Sequence, residues 1–162
     1  MKIAFYGSSL VSAYWNGAAT YYRGLLRALA EKGYDITFYE PDVYDRQKNR
    51  DIEPPEWSKV VVYEGTVEAL KSVAARAGEA DIVVKASGVG FEDDLLLEEV
   101  LRAARSNALK IFWDVDAPAT LAELRAAPDH PMRKALSAID LVLTYGGGDP
   151  VVNAYRSLGA RD

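Results

Sequence analysis

The chain has 162 residues, 49% hydrophobic and 27% charged, which suits one ordinary globular core and not a disordered chain. A formal net charge of −5 offers no excess of Lys and Arg for phosphate contacts, so nothing marks a dedicated nucleic-acid binder. The absence of cysteine excludes a disulfide framework and a thiolate zinc site, and any histidine-based metal cluster or Ser-His-Asp triad would rest on His130 alone.

The opening apolar run, Ile3 to Tyr6, is too short for a signal peptide and reads as a buried strand ending at Gly7-Ser8-Ser9. Ala18 to Gly33 has helical periodicity, with Ala18, Tyr22, Leu25, Leu26 and Leu29 on one stripe and Gly33 as the stop. Asp35 to Tyr39 is the next strand. Residues 40–57 are polar, contain three prolines and predict a long loop with at most a short helix, a candidate binding loop. Arg46, Lys48 and Arg50 within it read as a solvated face.

The pattern then repeats. Strands are predicted at Val60–Tyr63, Asp81–Lys85, Leu109–Trp113 and Leu141–Thr144. Helices are predicted at Val67–Ala77, Glu92–Arg105 and Pro150–Leu158, with a broken helical region over 118–138. Asp35, Asp81 and Asp140 each precede an apolar run. Strands alternating with helices predict an α/β, Rossmann-like, three-layer α/β/α domain. Its sheet should be mostly parallel, have about six strands and be covered on both faces, all within one domain over residues 1–162. No stretch approaches the roughly 20 apolar residues of a membrane helix, so no membrane span and a cytoplasmic location are expected.

Ligands of an open parallel sheet bind outside the carboxyl ends of the strands. Four unusual loops fall there: Gly7-Ser8-Ser9 with Asn16-Gly17, Ser87-Gly88, Asp114-Val115-Asp116, and Tyr145-Gly146-Gly147. Gly7, Ser8, Ser9, Asn16, Gly17, Ser87, Gly88, Tyr145, Gly146 and Gly147 are the candidate substrate-binding residues. The dinucleotide fingerprint is absent, since Ser9 and Ser12 stand where glycines would be needed, and so is a P-loop, since no Gly-Lys-Ser/Thr occurs. Asn16 also suits a helix N-cap. Asp114 and Asp116 are the candidate catalytic carboxylates, able to take a proton from an acceptor hydroxyl or to hold a sugar hydroxyl. Asp116 and the Thr120–Glu123 pair also suit caps. Two carboxylates without further ligands do not argue for a metal. Glu92-Asp93-Asp94 beside the Ser87 loop would repel phosphate, so a neutral, hydroxyl-bearing ligand suits this edge. His130 falls in an expected exposed turn, and Tyr14, Trp15, Tyr21 and Tyr22 cluster near the first loop.

Lys2 to Gly7, followed by Asn16 to Leu25, resembles the N-terminal domain of GT-B glycosyltransferases, and most nearly the group related to the spore-maturation protein CgeB. Ile111 to Pro118 and Leu143 to Gly148 are similar to that group as well. The resemblance implies two Rossmann-like domains facing a cleft, the C-terminal one holding a nucleotide-sugar donor and the N-terminal one mainly the acceptor. It implies that this chain is the N-terminal half, with transfer very weak or nil on its own. The implied partners are the missing C-terminal domain and a sugar or glycan acceptor. No bound cofactor or metal is implied, the nucleotide sugar being a co-substrate. A half-domain of this kind could also form a homodimer through its exposed interdomain face, or serve as a non-catalytic binding or self-assembling module.

Overall fold

The computed structural model describes residues 1–162. Six strands, β1 (Lys2–Tyr6), β2 (Asp35–Asp42), β3 (Lys59–Glu64), β4 (Ile82–Ala86), β5 (Leu109–Asp114) and β6 (Leu141–Thr144), form one sheet in the order β3-β2-β1-β4-β5-β6. All five pairings are parallel, with Phe5 opposite Phe38 on one side and Val84 on the other. The helices are α1 (Ala18–Glu31), α2 (Val67–Ala74), α3 (Asp93–Ala103), α4 (Ala117–Ala126), α5 (Pro131–Ala135) and α6 (Gly148–Ser157). This is the α/β Rossmann-like architecture that the sequence pattern predicts. No helix is long and apolar enough to cross a membrane.

Alternation along the strands sorts the core into two faces. Ala4, Tyr6, Tyr39, Tyr63 and Val83 pack under α2 and α3, and Phe112 packs under α3, α4, α5 and α6. Ile3, Phe5, Ile36, Phe38, Val84 and Trp113 face the other way, against Tyr22 and Leu26 of α1. Phe5 stacks on Phe38 at 5.1 Å, with Tyr22 edge-on to Phe5 at 5.1 Å.

Helices lie on both faces, as expected, but they do not cover them equally. Right-handed crossovers send the three rightward connections, β3 to β4 to β5 to β6, onto one face. Only α1 lies on the other, because the β2–β3 connection contains a single 3₁₀ turn, Arg46–Asn49, instead of an α-helix. Beyond α1, half-buried Ile82, Ile111 and Leu143 line an all-apolar depression of about 240 Å³.

Two of the three repeated aspartates have a common task. Asp81 accepts from the Lys2 backbone N–H at 2.8 Å and Asp140 from that of Lys110 at 2.9 Å. Each therefore fixes the start of a neighbouring strand, at the first residue of β1 and the second of β5. The Lys2 N–H, and then Arg105, hold the Asp81 carboxyl below its usual range.

Candidate functional site

The loop after β1 is a packed knot. Gly7 faces inward: a Cβ there would lie 2.5 Å from Phe38 Cζ, so core packing demands the glycine. The Ser8 hydroxyl donates to Asn16 Oδ1 at 2.7 Å, and the Ser9 hydroxyl donates to Glu40 Oε1 at 2.8 Å. Asn16 Nδ2 donates to the carbonyls of Ser9 and Ser12, at 2.8 and 2.9 Å. All four residues that make this knot, Ser8, Ser9, Asn16 and Glu40, are buried. Gly7, Ser8, Ser9 and Asn16 thus hold one another instead of facing solvent as ligand groups. Asn16 is not a side-chain cap either; Gly17 occupies the N-cap position of α1.

The segment after β2 clamps this knot as a strap. Glu40 accepts from Ser9, the Leu10 N–H (2.6 Å) and Gln47 Nε2 (2.6 Å). Asp51 forms a two-pronged pair with Arg23, at 2.7 and 2.8 Å, which pulls its carboxyl far below the usual range. The strap turns through Tyr44 and Asp45, both left-handed with φ of 56° and 54°.

Arg46 corrects its reading as a solvated residue: it is 5% exposed. Its Nη1 donates to the carbonyls of Ser8 (3.2 Å) and Val89 (3.0 Å), the loops after β1 and β4. The strand order reverses between β1 and β4, and ligands of open parallel sheets bind at that switch. Here a guanidinium of the chain itself bridges the crevice. The Tyr44 ring, 5.2 Å from the guanidinium carbon, packs over Gly90. Burial lowers the Arg46 pKa.

One strand further on, a pocket of about 450 Å³ opens at the carboxyl ends of β4 and β5, between the first turns of α3 and α4. Its floor holds Lys85, 3% exposed, whose ammonium is 2.5 Å from Asp93 Oδ1 and 5.9 Å from the Phe112 ring centroid. Asp93 also accepts from the N–H groups of Val89 (3.1 Å) and Gly90 (2.9 Å), closing the turn into α3. Burial alone would push its carboxyl up; the Lys85 ammonium and the two N–H groups outweigh that and hold it below the usual range.

The two candidate catalytic carboxylates have separate fates. Asp114 is fully buried. Its Oδ1 accepts from Ser87 Oγ (2.9 Å), Thr120 Oγ1 (2.9 Å) and the Asp116 N–H (3.1 Å), and its Oδ2 accepts from the Tyr155 hydroxyl. Four donors leave it no access to a ligand, so the structure makes it a joint between β4, α4 and α6, not a base. Burial, then Asp114 itself, pushes the Tyr155 phenol pKa up. Asp116 is exposed on the pocket wall, with a single long hydrogen bond from the Ala119 N–H (3.3 Å) that caps α4.

Ser87, Gly88 and Asp116 line this one pocket together, joined by Glu92, Asp94, Thr120 and Glu123. His130 lies here too instead of in an exposed turn: its Nδ1 accepts from the Met132 N–H (3.2 Å), and its Nε2 is 3.8 Å from Asp94. Gly17, Tyr145, Gly146 and Gly147 are elsewhere, so the four loops do not converge on one site. Tyr145 packs edge-on to Tyr21 (4.7 Å) and Trp113 (6.2 Å) on the α1 side. Gly17 borders a shallow depression along α1 with Thr20 and Gly24. A Cβ at Gly147 (φ 98°) would meet Val151 Cγ2 at 2.2 Å, so this glycine serves the turn into α6. No cluster of three or more His, Asp or Glu side chains is arranged to hold a metal ion.

Reading by loops overlooks Lys85 and Glu40. Each had a signal: Lys85 interrupts and Glu40 ends the apolar run of a buried strand, where a charge must find a partner. Comparison with protein-family models, with curated proteins and with solved structures gave no match.

Proposed function

We propose that this chain is the acceptor-side half of a nucleotide-sugar-dependent glycosyltransferase. The acceptor lies in the pocket over β4 and β5, and Asp116 takes the proton of the attacking hydroxyl. The observation that carries this is the unequal pair: Asp114 is saturated below the surface, while Asp116 meets the pocket with most of its acceptor capacity free. As the acceptor oxygen bonds to the anomeric carbon, its proton passes to Asp116 and the nucleotide departs with the electron pair of the broken bond. Glu92, Asp94 and Glu123 disfavour a diphosphate here, which supports an acceptor and not a nucleotide in this pocket.

The test is a thermal-shift titration of the chain with monosaccharides and with nucleotides. Sugars should raise the melting temperature and nucleotides should not, and Asp116→Asn should blunt the sugar response. Stabilisation by nucleotides with none by sugars would overturn the reading. In an enzyme carrying both domains, Asp116→Asn should lower kcat by about 10²–10⁴-fold.

One observation favours a second reading, a self-assembling module. The uncovered half-face with Ile82, Ile111 and Leu143 is an apolar patch of the kind that buries against a partner. Light scattering over a concentration series tests it: a dimer abolished by Ile111→Lys supports assembly through this face, and a strict monomer excludes it.

A further inference from the structure

We propose that the acceptor is a linear glycan and not a monosaccharide, with Tyr44 and Trp15 as stacking platforms for the sugar units that lie beyond the pocket. This rests on the acceptor-site reading above and names its substrate class.

The backbone supplies the first observation. Trp15 and Tyr44 are the two most exposed aromatic residues of the chain, at 83% and 62%. They are also two of only four non-glycine residues with left-handed φ, at 48° and 56°. A bulky side chain is disfavoured in that region, and a large apolar ring is disfavoured in water. Neither ring belongs to a core cluster, so packing inside the protein offsets neither cost. Strain of this kind gathers where a ligand is held.

Each ring stands on a fixed base. Asn16, beside Trp15, accepts from the Ser8 hydroxyl and donates to the Ser9 and Ser12 carbonyls. On the other side of the indole the Ala13 N–H donates to Asp51 Oδ1 at 2.9 Å, and the Tyr14 ring stands edge-on at 6.3 Å. Tyr44 is backed by the Arg46 guanidinium, 5.2 Å from the ring centroid, and by Gly90, where a Cβ would come within 2.7 Å of the ring. Aromatic faces set in advance bind a sugar ring with little loss of side-chain freedom.

The sites follow the strand order. Trp15 follows β1, the strap carries Tyr44 from β2 across to Gly90 after β4, and the pocket lies over β4 and β5. Gly88 and Glu92, on either side of Gly90, line the pocket itself, so a ligand that leaves the pocket past this loop meets Tyr44. Between the two rings the strap presents Asp45, Lys48 and Asp51 to solvent. Apolar faces parted by hydrogen-bonding groups match a row of pyranose rings, each with a C–H face and a hydroxyl rim. A protein partner would call for one contiguous apolar patch instead.

The experiment is an NMR titration of the chain with glucose, cellotetraose and maltotetraose, following the amides of residues 87–94 and 44–48 and the Trp15 indole N–H. At least one tetrasaccharide should bind about tenfold or more tightly than glucose. Tyr44→Asn and Trp15→Asn keep a residue at ease in the left-handed region, and each should shrink that gap about three- to tenfold. Tyr44→Phe should restore most of it. A length preference untouched by either asparagine variant would overturn the assignment to these rings. Equal affinity for glucose and both tetrasaccharides, with shifts at residues 87–94, would overturn this inference and leave the acceptor site standing. Absence of any sugar-dependent shift at residues 87–94 would overturn the acceptor reading and this inference with it.

Discussion

The Lys85 ammonium lies 2.5 Å from Asp93 Oδ1, joining the middle of the sheet to the first turn of α3 beneath the pocket. Because Asp93 titrates below its unfolded value, its contribution to stability is complete above about pH 4 and is lost as pH falls through the lowered native value. Asp93→Asn leaves Lys85 buried without a counter-charge. It should cost about 2–3 kcal/mol near neutral pH, less than a fully buried pair because the Asp93 side chain is 35% exposed. The gap in melting temperature between the two proteins should shrink below about pH 4; a gap that stays constant into strong acid would contradict the pairing.

Tyr155→Phe removes one of the four donors to Asp114 and should destabilise the fold by about 1.5–3 kcal/mol, as for a hydrogen bond to a charged group. Asp116→Asn should change stability by about 0.5 kcal/mol or less, because an asparagine Oδ1 keeps the one long cap. Urea unfolding of the two variants side by side separates the joint from the exposed carboxylate. The opposite order would reverse their roles.

Gly7→Ala and Gly17→Ala should differ in sign. At Gly7 the new methyl meets the Phe38 ring, which predicts a loss of about 1–3 kcal/mol. At Gly17 the backbone is helical (φ −62°) and the space is open, so alanine should be neutral or stabilise by up to about 1 kcal/mol. Equal losses at both would indicate that Gly17, too, is tightly packed.

Glu40→Ala takes the acceptor away from the Ser9 hydroxyl, the Leu10 N–H and Gln47 at once. Leaving those buried donors unpaired should cost about 2–3 kcal/mol. Hydrogen exchange should speed up at Leu10 and Ser12 before it does at β1. Unchanged exchange at Leu10 would show that the strap does not hold the knot.

Arg46→Met should loosen the contact between the loops after β1 and β4, because it removes both carbonyl partners of Nη1. Exchange at Gly90 and cleavage within the strap by a protease should both increase, while the β5–β6 half stays protected. Equal acceleration across the whole sheet would mean that Arg46 stabilises the fold globally and does not simply seal the switch point.

The alternation of short apolar runs with amphipathic helices was enough to place all six strands within a few residues of their positions, because parallel strands buried on both faces must be continuous and apolar. The same pattern led correctly to strand-start aspartates and to Asp116 at a helix start. Sequence could not say which carboxylate is free. Asp114 and Asp116 differ by two positions, yet Ser87 and Tyr155 from two distant segments, with Thr120 of the following helix, saturate only the first. Nor could it show that the strap drives Arg46 into the switch point, or that half of one sheet face lacks a helix. Local periodicity determines which residues enter elements and cores. The fates of Arg46 and Asp114 depend above all on partners brought from 27 to 43 residues away, and only the tertiary fold decides where those stand.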